Sequence, residues 1–178
     1  MFNHKALFFV FIFISNFTFS QTNTVSFSHE AGFYNDALYL KLNIEKGELF
    51  YFDENTIDKK RKVFPDSLLI NKTSTISLLV DHADSIHKLG SFSYFIGFNT
   101  DFKVVSISID NDFLFDKYKG IYEKGPRAYF DTVSQHYRNV NWERKWEREN
   151  FVEVFNEEGD RIIGQASGVR IFGGMTKY

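Results

Sequence analysis

Five groups of residues have the types and spacing to do chemistry. Asp110, Asp112 and Asp116 crowd together with Asn111. A calcium loop would use such oxygen ligands, with a glycine at its bend. No glycine interrupts this stretch, and Phe113, Leu114 and Phe115 are apolar, so helix capping by Asp110 or Asp112 is the competing reading. Glu157, Glu158 and Asp160 could be paired acid and base, but that role needs surroundings that separate their pKa values. They sit in a polar segment, where solvation is the simpler expectation. His82 and His87 are five residues apart, which is not the helical spacing of a metal pair. Trp142 and Trp146 stand four apart and offer flat apolar faces to a sugar ring; the alternative is that both pack inward under arginine stems. Gly173 and Gly174, with Thr176 and Lys177 after them, could bring backbone N–H groups and a cation to a phosphate. The spacing is not that of a Walker A loop, and an ordinary tight turn is the better account of the glycines.

The elements that must position these groups read as β-rich. Phe, Tyr and Trp make up 19% of the 178 residues, and such rings suit pleated, half-buried surfaces. Leu38 to Ile44 alternates apolar and polar residues, and Glu48 to Phe52 follows after a Glu45-Lys46-Gly47 turn, which predicts a hairpin. Further strands are expected at Val25–Ser28, Ser67–Ile70, Ser74–Val80, Phe92–Phe98 and Lys103–Ile109. Residues Phe151–Phe155 and Arg161–Gln165 flank a Gly-containing loop and predict a second hairpin. Gly168–Phe172 predicts one more strand, and a soft boundary falls near residue 99. Closely spaced strands without helical periodicity between them suggest a β-sandwich.

Composition removes several function classes. The absence of cysteine rules out thiolate metal sites, thiol nucleophiles and disulfides. The formal charge is −2 and the basic residues are interleaved with acids, so no nucleic-acid-binding stripe is present. Neither HExxH nor GxSxG occurs. At the amino terminus, Lys5, the apolar run Ala6–Ile14, and Thr18 and Ser20 before Gln21 have the three-part layout of a secretory signal peptide. That run is shorter than the ~20 residues of a membrane span. The expectation is export, cleavage after Ser20, and a mature secreted, periplasmic or cell-surface chain with no membrane span.

Two segments resemble known families. The runs Ser26-Phe27-Ser28, Gly32-Phe33-Tyr34, Leu38-Tyr39-Leu40-Lys41-Leu42 and Gly47-Glu48-Leu49-Phe50-Tyr51-Phe52 resemble the chitobiase/β-hexosaminidase C-terminal-type domain. That resemblance implies an immunoglobulin- or fibronectin-III-like sandwich over residues 21–98. The chain departs from it at Asp53-Glu54-Asn55, where the family has Asp-Gly. The second resemblance spans roughly residues 103–178. It rests on Asp112-Phe113-Leu114-Phe115-Asp116 with Gly120-Ile121-Tyr122, on Asn141-Trp142-Glu143 through Trp146-Glu147-Arg148, on Val152-Glu153-Val154-Phe155, and on Gly168-Val169-Arg170-Ile171-Phe172-Gly173-Gly174. These are similar to the opening stretch of the spore-coat-H-type (CotH) kinase family, atypical secreted kinases. Asn150 and Lys177 stand where that family has proline and arginine.

The resemblance implies a β-rich lead-in segment of a CotH kinase-like domain over residues 99–178. It also implies that the catalytic aspartate and remaining nucleotide ligands would lie beyond the Gly173-Gly174 element. The expectation is therefore an exported, non-catalytic accessory or cell-envelope interaction module without a cofactor. ATP and magnesium enter only if a downstream segment completes a kinase, which is the alternative of a fragment of an active enzyme. A carbohydrate-binding module is the other alternative. Expected partners are a cell-envelope glycan or another surface protein.

Overall fold

The computed structural model describes residues 25–56, 60–82 and 85–172. The signal-like segment lies outside them. The described chain is mainly β. Its elements run β1 (Val25–Phe27), β2 (Gly32–Tyr34), β3 (Leu38–Leu40), β4 (Leu42–Ile44), β5 (Glu48–Asp53), β6 (Lys62–Val63), β7 (Leu68–Ile70), β8 (Ser74–Asp81), β9 (Ile86–Ile96) and β10 (Val104–Ile109). A short helix α1 (Asn111–Phe115), β11 (Tyr129–Asp131), β12 (His136–Arg138), β13 (Arg148–Phe155) and β14 (Arg161–Val169) follow. No helix among the described residues is long and apolar enough to cross a membrane.

The alternating run Leu38–Ile44 does not form one strand. It breaks at Lys41, whose N–H is held by the Ser28 hydroxyl at 2.8 Å while its carbonyl accepts from the Ser28 N–H at 2.9 Å. Each half then takes a different partner. β3 pairs with β7 and β4 pairs with β1, both antiparallel. The expected hairpin with Glu48–Phe52 is therefore absent, because β5 pairs with β8 and β6.

The largest sheet has the order β2-β9-β8-β5-β6. β8 and β9 form its centre, antiparallel, with Ile76 opposite Phe92 on one face and Ser77 opposite Ser91 on the other. Burying the apolar face follows from the period of two. Leu78 and Tyr94 are fully buried there, in one cluster with Leu38, Leu40 and Ile70. Phe27 packs on Phe92 with centroids 4.8 Å apart. The Tyr94 hydroxyl donates to the His29 carbonyl at 3.2 Å, and burial pushes its pKa up.

A three-stranded sheet, β10-β13-β14, is built from the later part of the chain. The hairpin expected at 151–155 and 161–165 is present and longer, and its second strand absorbs Gly168 and Val169 from the strand predicted after it. Its loop closes against β2: the Phe33 N–H donates to the Gly159 carbonyl at 3.3 Å, and Gly32 bridges Asp160. Gly159 has φ +88°, and a Cβ there would lie 2.6 Å from Phe33 Cβ. Gly159→Ala should therefore cost about 2 kcal/mol. Urea unfolding would measure it, and a change below ~0.5 kcal/mol would mean that the loop relaxes freely.

Between β10 and β13 the chain makes α1 and a small hairpin, β11-β12. Asp110 caps α1, its carboxylate accepting from the Asp112 N–H at 2.9 Å. Asp116 closes the next turn, accepting from the N–H groups of Tyr118 and Lys119, which holds its carboxyl below the usual range. Two of the three aspartates are thus backbone caps, and the third, Asp112, forms an ion pair with Lys119 at 2.9 Å. Buried Asn141 ties this segment together by donating to the carbonyls of Gly120 and Lys117 at 3.0 and 3.2 Å.

Candidate functional site

The two larger sheets enclose a seam of polar side chains. Thr75 and Ser77 of β8 face the same way as Ser91 and Ser93 of β9, because each pair is in register. Ser77 and Ser91 share a hydrogen bond of 2.8 Å, and Thr75 and Ser93 share one of 3.0 Å. Ser93 also reaches Ser106 of β10 at 2.8 Å, which ties one sheet to the other. Four of the hydroxyl and carboxyl groups here are almost fully buried: Ser77, Ser91, Ser93 and Glu153. Buried polar groups are tolerated when they are hydrogen-bonded, and the hydroxyls of this ladder meet that requirement.

The seam carries a charge at each end. At one, Ser77 donates to Glu54 Oε1 at 2.6 Å, and Lys88 Nζ stands 3.6 Å from the same oxygen. At the other, Arg161 Nη1 donates to Glu153 Oε1 at 3.2 Å. Glu153 is 1% exposed. Burial pushes its carboxyl above the ordinary range, against the opposing pull of Ser93 and Arg161. The guanidinium of Arg161 also lies 4.8 Å from the centre of the Phe92 ring.

The Glu54–Lys88 end opens into a cleft of about 800 Å³. One wall comes from the five-stranded sheet, through Phe52, Lys88 and Gly90, and the other from the three-stranded sheet, through Ser108, Asn150 and Phe151. Asp110 and Phe113, from the cap and body of α1, complete the rim. Gly90 is required by this geometry: a Cβ there would sit 2.9 Å from the Phe151 ring. The cleft joins aromatic faces to hydrogen-bonding groups and to charges of both signs, Glu54, Asp110 and Glu149 against Lys88. Its volume lies within the ~300–1,000 Å³ of ordinary small-molecule sites.

Of the residues singled out in the sequence, Asp110 lies on the rim of this cleft, and the others among the described residues fall elsewhere. Trp142 lies in a 3₁₀ turn, Asn141–Glu143, and its indole N–H is buried without a hydrogen-bond partner among the described residues. Trp146 is half-buried, with the guanidiniums of Arg144 and Arg148 at 5.0 and 4.5 Å from its ring centre. Those two cations lie against the ring that a sugar would stack on. Arg148 also lies 5.5 Å from the ring of Phe113, so Trp146 is linked to the cleft through one guanidinium. Asp160 closes the β13–β14 hairpin, its N–H donating to Asn156 Oδ1 at 2.7 Å. The rings of His82 and His87 are 5.9 Å apart, and no group of three or more His, Asp or Glu among the described residues is placed to hold a metal ion. Gly173, Gly174, Thr176 and Lys177 lie outside the described residues.

The cleft was missed, and so was the seam that leads to it. The seam has one trace in Ser91-Phe92-Ser93-Tyr94, where hydroxyls alternate with rings. Alternation of that kind shows two faces and not that both are covered. Comparison of the chain with family models, with curated proteins and with solved structures finds no match to any of them.

Proposed function

We propose that this chain is an exported, non-catalytic interaction module of the cell envelope, and that it holds a short, hydroxyl-rich glycan in the cleft between its two larger sheets. In this reading residues 21–98 are an immunoglobulin- or fibronectin-III-like sandwich of the chitobiase C-terminal type, and residues 99–178 are the lead-in of a CotH-like domain. The cleft is the observation that carries the proposal. The rings of Phe52, Phe113 and Phe151 supply apolar faces, while Lys88, Ser108 and Asn150 supply hydrogen-bonding groups around them. Sugars present this same combination, with C–H faces that stack on rings and hydroxyls that both donate and accept.

Titration with soluble peptidoglycan fragments and chito-oligosaccharides tests it, read by calorimetry and by tryptophan emission. A ligand that moves Phe113 disturbs Arg148 and with it Trp146, so emission should change and saturate together with the heat. Phe113→Ala should weaken binding about tenfold, or ~1.4 kcal/mol. Absence of both heat and emission change with every glycan at millimolar concentration would reject the reading.

A further inference from the structure

We infer that β14 is a self-pairing edge, by which two copies of this chain join their three-stranded sheets into one six-stranded sheet about a two-fold axis at Gln165. β14 also lines the cleft, through Gly164, Gln165, Ala166 and Ser167, but the inference rests on its backbone edge and not on the glycan reading. β14 is an outer strand of its sheet, bonded to β13 on one side and to no other strand among the described residues. It is nine residues long, and residues 162–166 are all exposed. A free edge of this kind is a template for another extended backbone, and proteins that remain monomeric blunt it with lysine, proline or a very short strand. The strand's one charge, Arg161 at its start, is engaged by Glu153 and the Phe92 ring, and the remaining Ile162-Ile163-Gly164-Gln165-Ala166-Ser167-Gly168-Val169 has no charge and no proline. β10, at the opposite side of the sheet, is followed directly by the capped helix α1.

The occupant follows from the order of side-chain sizes along the strand. Antiparallel pairing about Gln165 places Ile163 opposite Ser167 of the second copy and Gly164 opposite Ala166. Ile162 comes opposite Gly168, and Arg161 opposite Val169. The bulky first half of each strand meets the small second half of the other, no two charges face each other, and the two Gln165 amides meet at the axis, where each can donate to the other. The contact is isologous and closes at two copies, as a two-fold contact must.

Sedimentation of the purified chain should show a monomer–dimer equilibrium within roughly 1–100 µM. Gln165→Lys places two cations against each other on the axis and should give a monomer over the same range, as should Gln165→Glu with two anions. An equimolar mixture of these two variants should recover the dimer. In the unmodified protein, amide exchange in β14 should slow as concentration rises, which gives a readout that needs no variant to fold. A wild-type chain that stays monomeric throughout, or a lysine variant that dimerises as well as wild type, would overturn the inference. So would a monomer whose β14 amides become protected only on addition of an unrelated extended peptide, since the edge would then serve a different polypeptide.

Discussion

Replacing Arg161 with methionine should destabilise the fold by about 3 kcal/mol at neutral pH, because it leaves the Glu153 carboxylate buried without its counter-charge. Glu153 is 1% exposed, and its Oε1 accepts from Arg161 at 3.2 Å. Glu153→Gln should cost much less, since an amide keeps hydrogen-bonding capacity and carries no charge to desolvate. The asymmetry between the two variants is the diagnostic result, because loss of packing alone would not produce it. Urea unfolding of both variants measures it, and an Arg161→Met variant within ~0.5 kcal/mol of wild type would show that the carboxylate has other support.

The same pair fixes the sign of a pH effect. Burial raises the folded-state pKa of Glu153 above its ordinary 4.5. A group raised in this way adds stability that is fully present below the unfolded value and is lost as pH rises through the folded one. The Glu153 contribution should therefore fall as pH climbs from about 4.5 through the raised value, and the Gln variant should lack this fall. Asp116 and Asp131 act in the opposite direction, because hydrogen bonds to their charged forms lower both carboxyls. Their contributions are lost as pH drops below the ordinary carboxylate range. Only the difference between wild type and Glu153→Gln isolates the buried carboxyl, and parallel stability curves would contradict the assignment.

The strands were largely legible in the sequence, while their partners were not. Ser74–Val80, Lys103–Ile109 and the Phe151–Gln165 hairpin appear close to where alternation and turn residues place them. Pairing failed where strands are three residues long. One contact, Ser28 with Lys41, redirects β3 and β4 to different partners, and alternation carries no information about such a contact. The small β11-β12 hairpin was missed because its turn uses Gln135 at positive φ instead of the expected glycine, and Asn139, just past β12, is a second non-glycine residue at positive φ. That the polar seam is covered was illegible for a third reason. Thr75, Ser77, Ser91 and Ser93 have the pattern of a solvated face, and only the second sheet, arriving from far along the chain, covers it.

That second sheet also reaches the core of the first, and a single ring tests how tightly the two are coupled. Phe155, in β13, is fully buried and packs on Phe33 and Phe95 with centroid distances of 5.9 and 5.3 Å. Its neighbours in space come from β2 and β9, more than fifty residues earlier in the chain. Phe155→Ala removes a full aromatic ring from a closely packed site and should cost about 4 kcal/mol. For a chain of this length that is a fall in Tm of roughly 8–16 °C. The ring sits where the two halves meet, so the loss should appear in a single shared transition. Calorimetry together with tryptophan emission provides the test, since both tryptophans belong to the later half while calorimetry registers the whole chain. If emission shifted to lower temperature while a second calorimetric transition stayed in place, the halves would be energetically separate, and Phe155 would be a ring docked at a boundary instead of part of a common core.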